Sequence, residues 1–228
     1  MKLSISMTRN EVRFGWLLLV LQLFVLPSVL MLFNGLLPAP MHPALLNFLL
    51  FALEFVLTLL IFHRFLTVSA RQAAAAPFRC LHFAGIGLIL YYIGTVLVGM
   101  LIRSVCPDFS NVNDQNIHVL AQGHYTLIVI GTVLLVPVAE ETLYRGLVFR
   151  LLQEKSRIAA YALSTLFFGL IHVAGYIGTT SPTVLALCLL QYIPAGLSLA
   201  WVYEQADSIW APILMHMAIN QIGMTYMR

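Results

Sequence analysis

The sequence predicts an all-α, polytopic helical membrane protein, and three observations support this prediction. Of the 228 residues, 61% are hydrophobic and only 9% are charged, whereas soluble domains carry roughly 25% charged residues. The mean hydropathy is +0.92. The apolar residues also form long stretches that are separated by short connectors. A chain of this composition cannot cover itself with a polar surface, so we expect it to lie in a lipid bilayer.

A helix needs about 20 predominantly apolar residues to cross the hydrocarbon core, and seven stretches qualify. They are residues 14–33, 45–62, 80–102, 124–149, 158–178, 183–203 and 208–226. No small-residue cleavage site follows the first stretch, so we expect a retained helix rather than a signal peptide. The seventh stretch is the least uniform because it contains polar side chains.

The chain is expected to form one integral membrane domain with two regions. Residues 1–123 would form an N-terminal three-helix region, and residues 124–228 would supply the remaining four helices. The longest and most polar connector is 103–123, and the basic connector that contains AAAA at 73–76 is expected to rest on the membrane surface.

Basic residues predict the orientation of the bundle, because cytoplasmic loops are enriched in lysine and arginine. With the N-terminus in the cytoplasm, nine basic residues lie inside and only Arg103 and Arg228 lie outside. The nine are Lys2, Arg9, Arg13, Arg64, Arg71, Arg79, Arg150, Lys155 and Arg157. We therefore expect a multi-pass protein with a cytoplasmic N-terminus. Its short loops are typical of a bacterial inner-membrane protein.

Neither the net charge nor the cysteines indicate a nucleic-acid partner or a cysteine-based site. The formal net charge is only +3, so no nucleic-acid partner is expected. Cys80, Cys106 and Cys188 lie far apart without CxxC or Cys/His spacing, which argues against both a disulfide framework and a zinc site that uses them.

The segment PVAEETLYRG places three ionisable side chains in the fourth stretch. Ionisable groups in lipid are costly, so they usually face the bundle interior. Glu141 and Arg145 are four residues apart, in the order that favours an ion pair. Glu140 is turned by about 100° from Glu141 and has no partner charge in its own helix. Pro137 cannot donate a backbone N–H and is expected to kink the helix. Alternatively, the charged residues form an interfacial ion cluster that closes the helix.

Two later stretches carry polar pairs at helical spacing. FFGLIH places Phe168 and His172 on one face, and HMAIN places His216 and Asn220 on one face. Each pair also has a purely structural interpretation. His172 could bond to a backbone carbonyl, and His216 and Asn220 could join neighbouring helices by hydrogen bonds.

The expected depths of these groups agree with one another. A rise of 1.5 Å per residue puts Glu140 about 20 Å and His172 about 21 Å from the cytoplasmic ends of their helices. His216 and Asn220 lie about 12 and 18 Å from the cytoplasmic end of the seventh helix. The four groups are therefore expected to meet near the bilayer midplane or in its cytoplasmic half.

One carboxylate, two imidazoles and one amide supply the parts for peptide hydrolysis without a covalent intermediate. A glutamate can take a proton from water as general base, and imidazole and amide N–H groups can stabilise an oxyanion. Glutamate with two histidines is also a possible zinc set, although the HExxH spacing is absent. We expect no metal or other cofactor and keep zinc as the alternative.

EETLYR, FGLIH and HMAIN, in this order on successive helices, resemble the EExxxR, FxxxH and HxxxN motifs of the CPBP (Abi) family of CAAX proteases and bacteriocin-processing enzymes. The resemblance covers about residues 124–228 and implies a glutamic-type intramembrane endopeptidase. It assigns water activation to Glu140 and His172, the oxyanion hole to His216 and Asn220, and supporting roles to Glu141 and Arg145.

Several functional alternatives and the substrate stay open at this point. The chain could be a non-catalytic scaffold or immunity protein, or a proton-coupled transporter, although it lacks the repeat that many transporters carry. The resemblance implies a membrane-anchored or lipidated peptide as substrate, with the bilayer as the other partner. Glu54, in the second stretch, either contacts the site or forms an interhelical hydrogen bond.

Overall fold

The computed structural model describes residues 3–226, so Lys2 and Arg228 of the orientation argument lie outside the described residues. Within this range the chain forms nine helices and no strand. They are α1 (Arg9–Gly35), α2 (Pro43–Ile61), α3 (His63–Ala75), α4 (Pro77–Val105), α5 (Val112–Ala121), α6 (Tyr125–Gln153), α7 (Arg157–Val173), α8 (Pro182–Ala206) and α9 (Trp210–Tyr226). The prediction of an all-α, polytopic membrane protein is confirmed.

Six of the described helices are long and apolar enough to cross a membrane: α1, α2, α4, α6, α7 and α8, with α7 continued by a 3₁₀ turn at Ala174–Tyr176. The seventh predicted span corresponds to α9, which has 17 residues. At 1.5 Å per residue this helix is about 25 Å long, slightly less than the roughly 30 Å hydrocarbon core. It packs against α4, α6 and α8.

The two short helices, α3 and α5, lie where the sequence predicted only connectors. Helix α3 forms most of the basic connector and packs its Phe65 and Leu66 into the core. The side chain of Glu11, near the start of α1, accepts a hydrogen bond from the Phe65 backbone N–H at 2.7 Å. Helix α5 lies in the polar connector and begins after Asn111, whose side chain accepts from the N–H groups of the first turn.

These two helices identify the two ends of the bundle. At the α3 end, Arg79 donates to the carbonyl of Gln205 and Arg150 donates to the carbonyl of Leu3. At the α5 end, Tyr125 donates to the carbonyl of Met224 at 3.1 Å. We refer to these regions below as the α3 end and the α5 end.

Helix α6 is the central helix of the protein. In its most apolar 18-residue window 61% of the residues are buried, against 11–39% for the other five candidate spans. It packs against α1, α2, α7, α8 and α9, and every residue from Val136 to Arg150 is buried. The charged residues of α6 therefore face protein rather than lipid.

Candidate active site

Helix α6 is not a regular α-helix on either side of its two glutamates. Residues Ile130–Leu135 and Thr142–Phe149 form π-helical turns. In the first of these the N–H of Val136 donates to the carbonyl of Gly131, five residues earlier. The next residue, Pro137, has no N–H to continue this pattern. Such widened turns occur frequently at functional sites, and here they flank the charged segment.

Asn220 of α9 supplies the hydrogen bond that Pro137 cannot make. Its Nδ2 donates to the carbonyl of Thr132 at 2.7 Å, and Thr132 is the residue five positions before Pro137. A buried carbonyl without a donor is costly in a membrane, so this contact stabilises the packing of α9 on α6. Asn220 is therefore an interhelical hydrogen-bond donor, which is the structural interpretation considered for it.

Glu141 is at the centre of a buried charged cluster. Its Oε1 accepts a hydrogen bond from Nη1 of Arg145 at 2.9 Å and another from Nδ1 of His216 at 2.8 Å. Arg145 also donates from Nη2 to the carbonyl of Gly196 at 3.2 Å, and its guanidinium lies 4.5 Å from the centroid of the Phe168 ring. The predicted pair of Glu141 and Arg145 is present, and it is fully buried rather than interfacial.

Glu140 has a different environment from its neighbour. It is only 5% exposed, and its Oε2 atom is buried without a hydrogen-bond partner. Within residues 3–226 no hydrogen bond or ion pair involves this side chain. It lines a cavity of about 770 Å³ inside the bundle. A buried polar atom without a partner is unusual in proteins, and here it faces a space that water or a ligand can occupy.

A hydrogen bond to the backbone determines which ring nitrogen of His172 carries the proton. Its Nδ1 lies 2.7 Å from the backbone carbonyl of Phe168, and a carbonyl oxygen can only accept, so Nδ1 must carry the proton. In the neutral imidazole Nε2 is then an acceptor. The ring stacks on Tyr192, with centroids 4.3 Å apart. The bond to a backbone carbonyl that we considered as a structural role therefore also fixes the tautomer.

A hydrogen bond also determines which ring nitrogen of His216 carries a proton. Its Nδ1 bonds to Glu141, and an ionised carboxylate only accepts, so Nδ1 is the donor. In a neutral ring Nε2 therefore has no proton. His216 can donate from Nε2 only as an imidazolium, for which Glu141 is the adjacent counter-charge.

The four predicted catalytic residues line the same cavity. Glu140, His172, His216 and Asn220 come from α6, α7 and α9 and all face it, whereas Glu141 and Arg145 lie behind it. Glu54 of α2 also lines the cavity and accepts an interhelical hydrogen bond from Gln22 of α1, so both alternatives considered for this residue hold.

Three polar residues at the site were not predicted from the sequence. Gln22 of α1 donates to Glu54 at 3.2 Å and accepts from the hydroxyl of Tyr144 at 3.2 Å, and Tyr192 stacks on His172. Gln22 could have been identified from the sequence, because it is a polar side chain within the first apolar stretch. Tyr144 and Tyr192 are compatible with ordinary packing, so nothing in the sequence singled them out.

The cavity extends from Glu140 towards the α5 end. Asn113, Asp114 and Asn116 of α5 line it there. Burial raises the pKa of the Asp114 carboxyl above its usual value, and a hydrogen bond with Tyr192 acts in the opposite direction. With the predicted orientation, the α5 end lies outside the cytoplasm. Glu140 itself lies near the middle of α6, and the depth expected for the site stays a prediction.

Binding of a metal ion would require several donor side chains arranged around one point. Among residues 3–226 no group of three or more His, Cys, Asp and Glu side chains is arranged to hold one. The expected absence of a metal and the zinc alternative both stay predictions.

Fold and site together define an integral, multi-pass membrane protein whose helical bundle encloses a cavity lined by ionisable groups. Residues 122–222 match the family model described as Type II CAAX prenyl endopeptidase Rce1-like. The resemblance to the CPBP family is thereby confirmed for this part of the chain.

A curated relative supports the family assignment. The chain is 28% identical over 95 residues to a Bacillus subtilis (strain 168) protein named "Putative membrane peptidase YdiL". The aligned segment covers 41% of this chain and 34% of that protein, so the match spans about a third of the relative's length. No solved structure matches the chain.

Proposed function

We propose that this protein is an intramembrane endopeptidase that hydrolyses a peptide bond of a membrane-anchored or lipidated polypeptide with a water molecule activated by Glu140. The observation that carries the proposal is the buried, unpartnered carboxylate of Glu140 in the same cavity as the acceptor nitrogen of His172. The match to the Rce1-like family and the relative named as a membrane peptidase support the peptidase class.

Water activation is assigned to Glu140 and His172. A water molecule between them donates one hydrogen bond to the carboxylate and one to Nε2 of His172, which orients its lone pair towards the substrate. As the water oxygen attacks the carbonyl carbon, its proton passes to Glu140 as general base. His172 then acts as a positioning group whose tautomer is fixed by the Phe168 carbonyl.

The oxyanion is assigned to Asn220 and His216. The Nδ2 of Asn220 has two hydrogens, and one is used by the Thr132 carbonyl, which orients the amide and leaves the second for the substrate oxygen. His216 contributes a second donor when it is an imidazolium held by Glu141. Collapse of the tetrahedral intermediate breaks the C–N bond, and the proton held by Glu140 passes to the leaving amine. Neither a covalent intermediate nor a metal is required by this sequence of steps.

The proposal is tested by comparing membrane peptides from cells that express the wild type or Glu140→Gln. Peptides released only by the wild type are then used as substrates for the purified proteins. We expect Glu140→Gln and His172→Ala to lower the cleavage rate by about 10²-fold or more, as is typical for loss of an acid–base group. The matched control is Glu154→Gln, which makes the same change at an exposed position near the end of α6.

Three results would contradict the mechanism. Full activity of Glu140→Gln would remove the proposed base. Loss of activity with a strong chelator and its recovery with zinc would favour a metal-dependent hydrolysis instead. Proton flux in liposomes that depends on Glu140 without any proteolysis would favour a transporter.

A further inference from the structure

The cavity lies in one half of the helical bundle. On α6 its lining extends from Thr132 to Glu140, and on α9 from His216 to Met224. It includes residues of α5, whereas none of its described lining residues belongs to α3. Glu140 therefore lies at the inner end of the cavity. Asn116 of α5 lines the other end and is exposed, so the cavity reaches the surface there, and we refer to this opening as the mouth.

The basic residues are concentrated at the opposite end. Those at the α3 end are Arg9, Arg13, Arg64, Arg71, Arg79, Arg150, Lys155 and Arg157. In the described part of the α5 end, Arg103 is the single lysine or arginine, and Asp108 and Asp114 are nearby in sequence. Lysine and arginine accumulate in cytoplasmic segments, so the α3 end is the cytoplasmic one.

Combining these observations, we propose that the site receives its substrate from the non-cytoplasmic side of the membrane, through the mouth beside α5. The substrate would be a membrane-anchored polypeptide whose cleavage segment has been exported or translocated. This inference rests on the proposed peptidase function, but the side to which the cavity opens can be measured independently of it.

The charges in the cavity narrow the substrate class. Glu54, Asp114 and Glu140 line it, and no lysine or arginine is found among its described lining residues. A terminal carboxylate entering this cavity would meet carboxylates without a permanent cation to neutralise it, which is costly in a medium of low dielectric constant. The site therefore favours an internal, neutral or basic segment over the free C-terminus of a cytoplasmic tail.

The position of the mouth is tested by cysteine labelling in intact bacterial spheroplasts with a membrane-impermeant maleimide. Cys106 lies between α4 and α5 and is partly exposed, whereas Cys80 and Cys188 are buried. A variant with Cys80→Ala and Cys188→Ala thus keeps one native probe at the α5 end. The matched probe is Lys155→Cys, at an exposed position of the α3 end, in a background that lacks all three native cysteines.

We expect Cys106 to be labelled in intact spheroplasts and Lys155→Cys only after permeabilisation. Labelling of Lys155→Cys in intact spheroplasts, alone or together with Cys106, would overturn the inference. If Cys106 alone is labelled but no peptide is released in a Glu140-dependent manner, the proposed function fails and the inferred side of the mouth is upheld.

A second measurement links the mouth to the activity. Asn116, an exposed residue of α5, lines the cavity, so a bulky impermeant maleimide on Asn116→Cys should obstruct substrate entry. We expect at least a tenfold decrease in the Glu140-dependent peptides after labelling of intact spheroplasts, and no decrease with labelled Cys106. Equal release before and after labelling of Asn116→Cys would contradict entry beside α5.

Discussion

Two adjacent carboxylates of α6 have opposite environments. Glu141 accepts hydrogen bonds from Arg145 and His216, whereas Glu140 has a buried oxygen without a partner. Neighbouring residues of a helix point in directions about 100° apart, so one side chain faces the interior of the cluster and the other faces the cavity. The first is expected to contribute to stability and the second to activity.

This difference predicts how the two glutamates respond to the same substitution. Glu141→Gln removes the charge that compensates the fully buried Arg145, and breaking a buried ion pair costs about 3–5 kcal/mol. Glu140→Gln removes no hydrogen bond of the described structure and should leave stability unchanged or slightly higher. Thermal unfolding of the purified proteins in detergent measures both effects. Equal melting temperatures of Glu141→Gln and the wild type would contradict the stabilising role.

At the residue scale, the sequence was informative about contacts within one helix. The pair of Glu141 and Arg145 follows from their spacing of four residues. The bond between His216 and Glu141 does not, because it depends on how α9 is rotated against α6. One sequence contains the periodicity of each helix but not the rotation of one helix relative to another.

Among the elements, α6 shows how an irregular helix can be stabilised by its neighbour. The π-helical turn at Ile130–Leu135 and Pro137 leave the Thr132 carbonyl without a helical donor, and Asn220 supplies one. The sequence predicted the kink at Pro137 but not this compensation. The structural role of Asn220 and its proposed catalytic role can be separated experimentally.

A double-mutant cycle with Pro137→Ala and Asn220→Ala separates these roles. Asn220→Ala alone should destabilise the protein by about 1 kcal/mol, since interhelical hydrogen bonds in membranes contribute up to about 1.7 kcal/mol. In the Pro137→Ala background the restored N–H can bond to the Thr132 carbonyl, so this cost should decrease. The loss of cleavage, about 10²-fold or more for an oxyanion donor, should persist in both backgrounds. If activity recovers together with stability, Asn220 is only a structural residue.

The number and order of the long helices followed from the sequence, but the short helices did not. A search for about 20 apolar residues found the six long helices and α9. It could not find α3 and α5, which have 13 and 10 residues. Asn111 before α5 is a typical N-cap residue, and it was the available indication of a helix in that connector.

For the molecule as a whole, the predicted regions 1–123 and 124–228 share one cavity. The match to the family model begins at residue 122, yet Gln22 and Glu54 line the cavity from the N-terminal side. Helix α4 also packs closely on the C-terminal region: a Cβ atom on its Gly87 would lie 2.8 Å from the sulfur of Met215 in α9. The N-terminal helices therefore form part of the site's walls, although they contain none of the family motifs.

This arrangement predicts that residues 124–228 cannot act alone. A break after Gly123, in the exposed turn before α6, should still allow fragments 1–123 and 124–228 to associate when they are co-expressed. We expect the two fragments to co-purify through a tag on one of them and to release the Glu140-dependent peptides. The C-terminal fragment by itself should aggregate or be inactive, because its surface against α1, α2 and α4 would be exposed and the cavity would lose one wall. Wild-type cleavage by fragment 124–228 alone would show instead that the matched region is a complete enzyme.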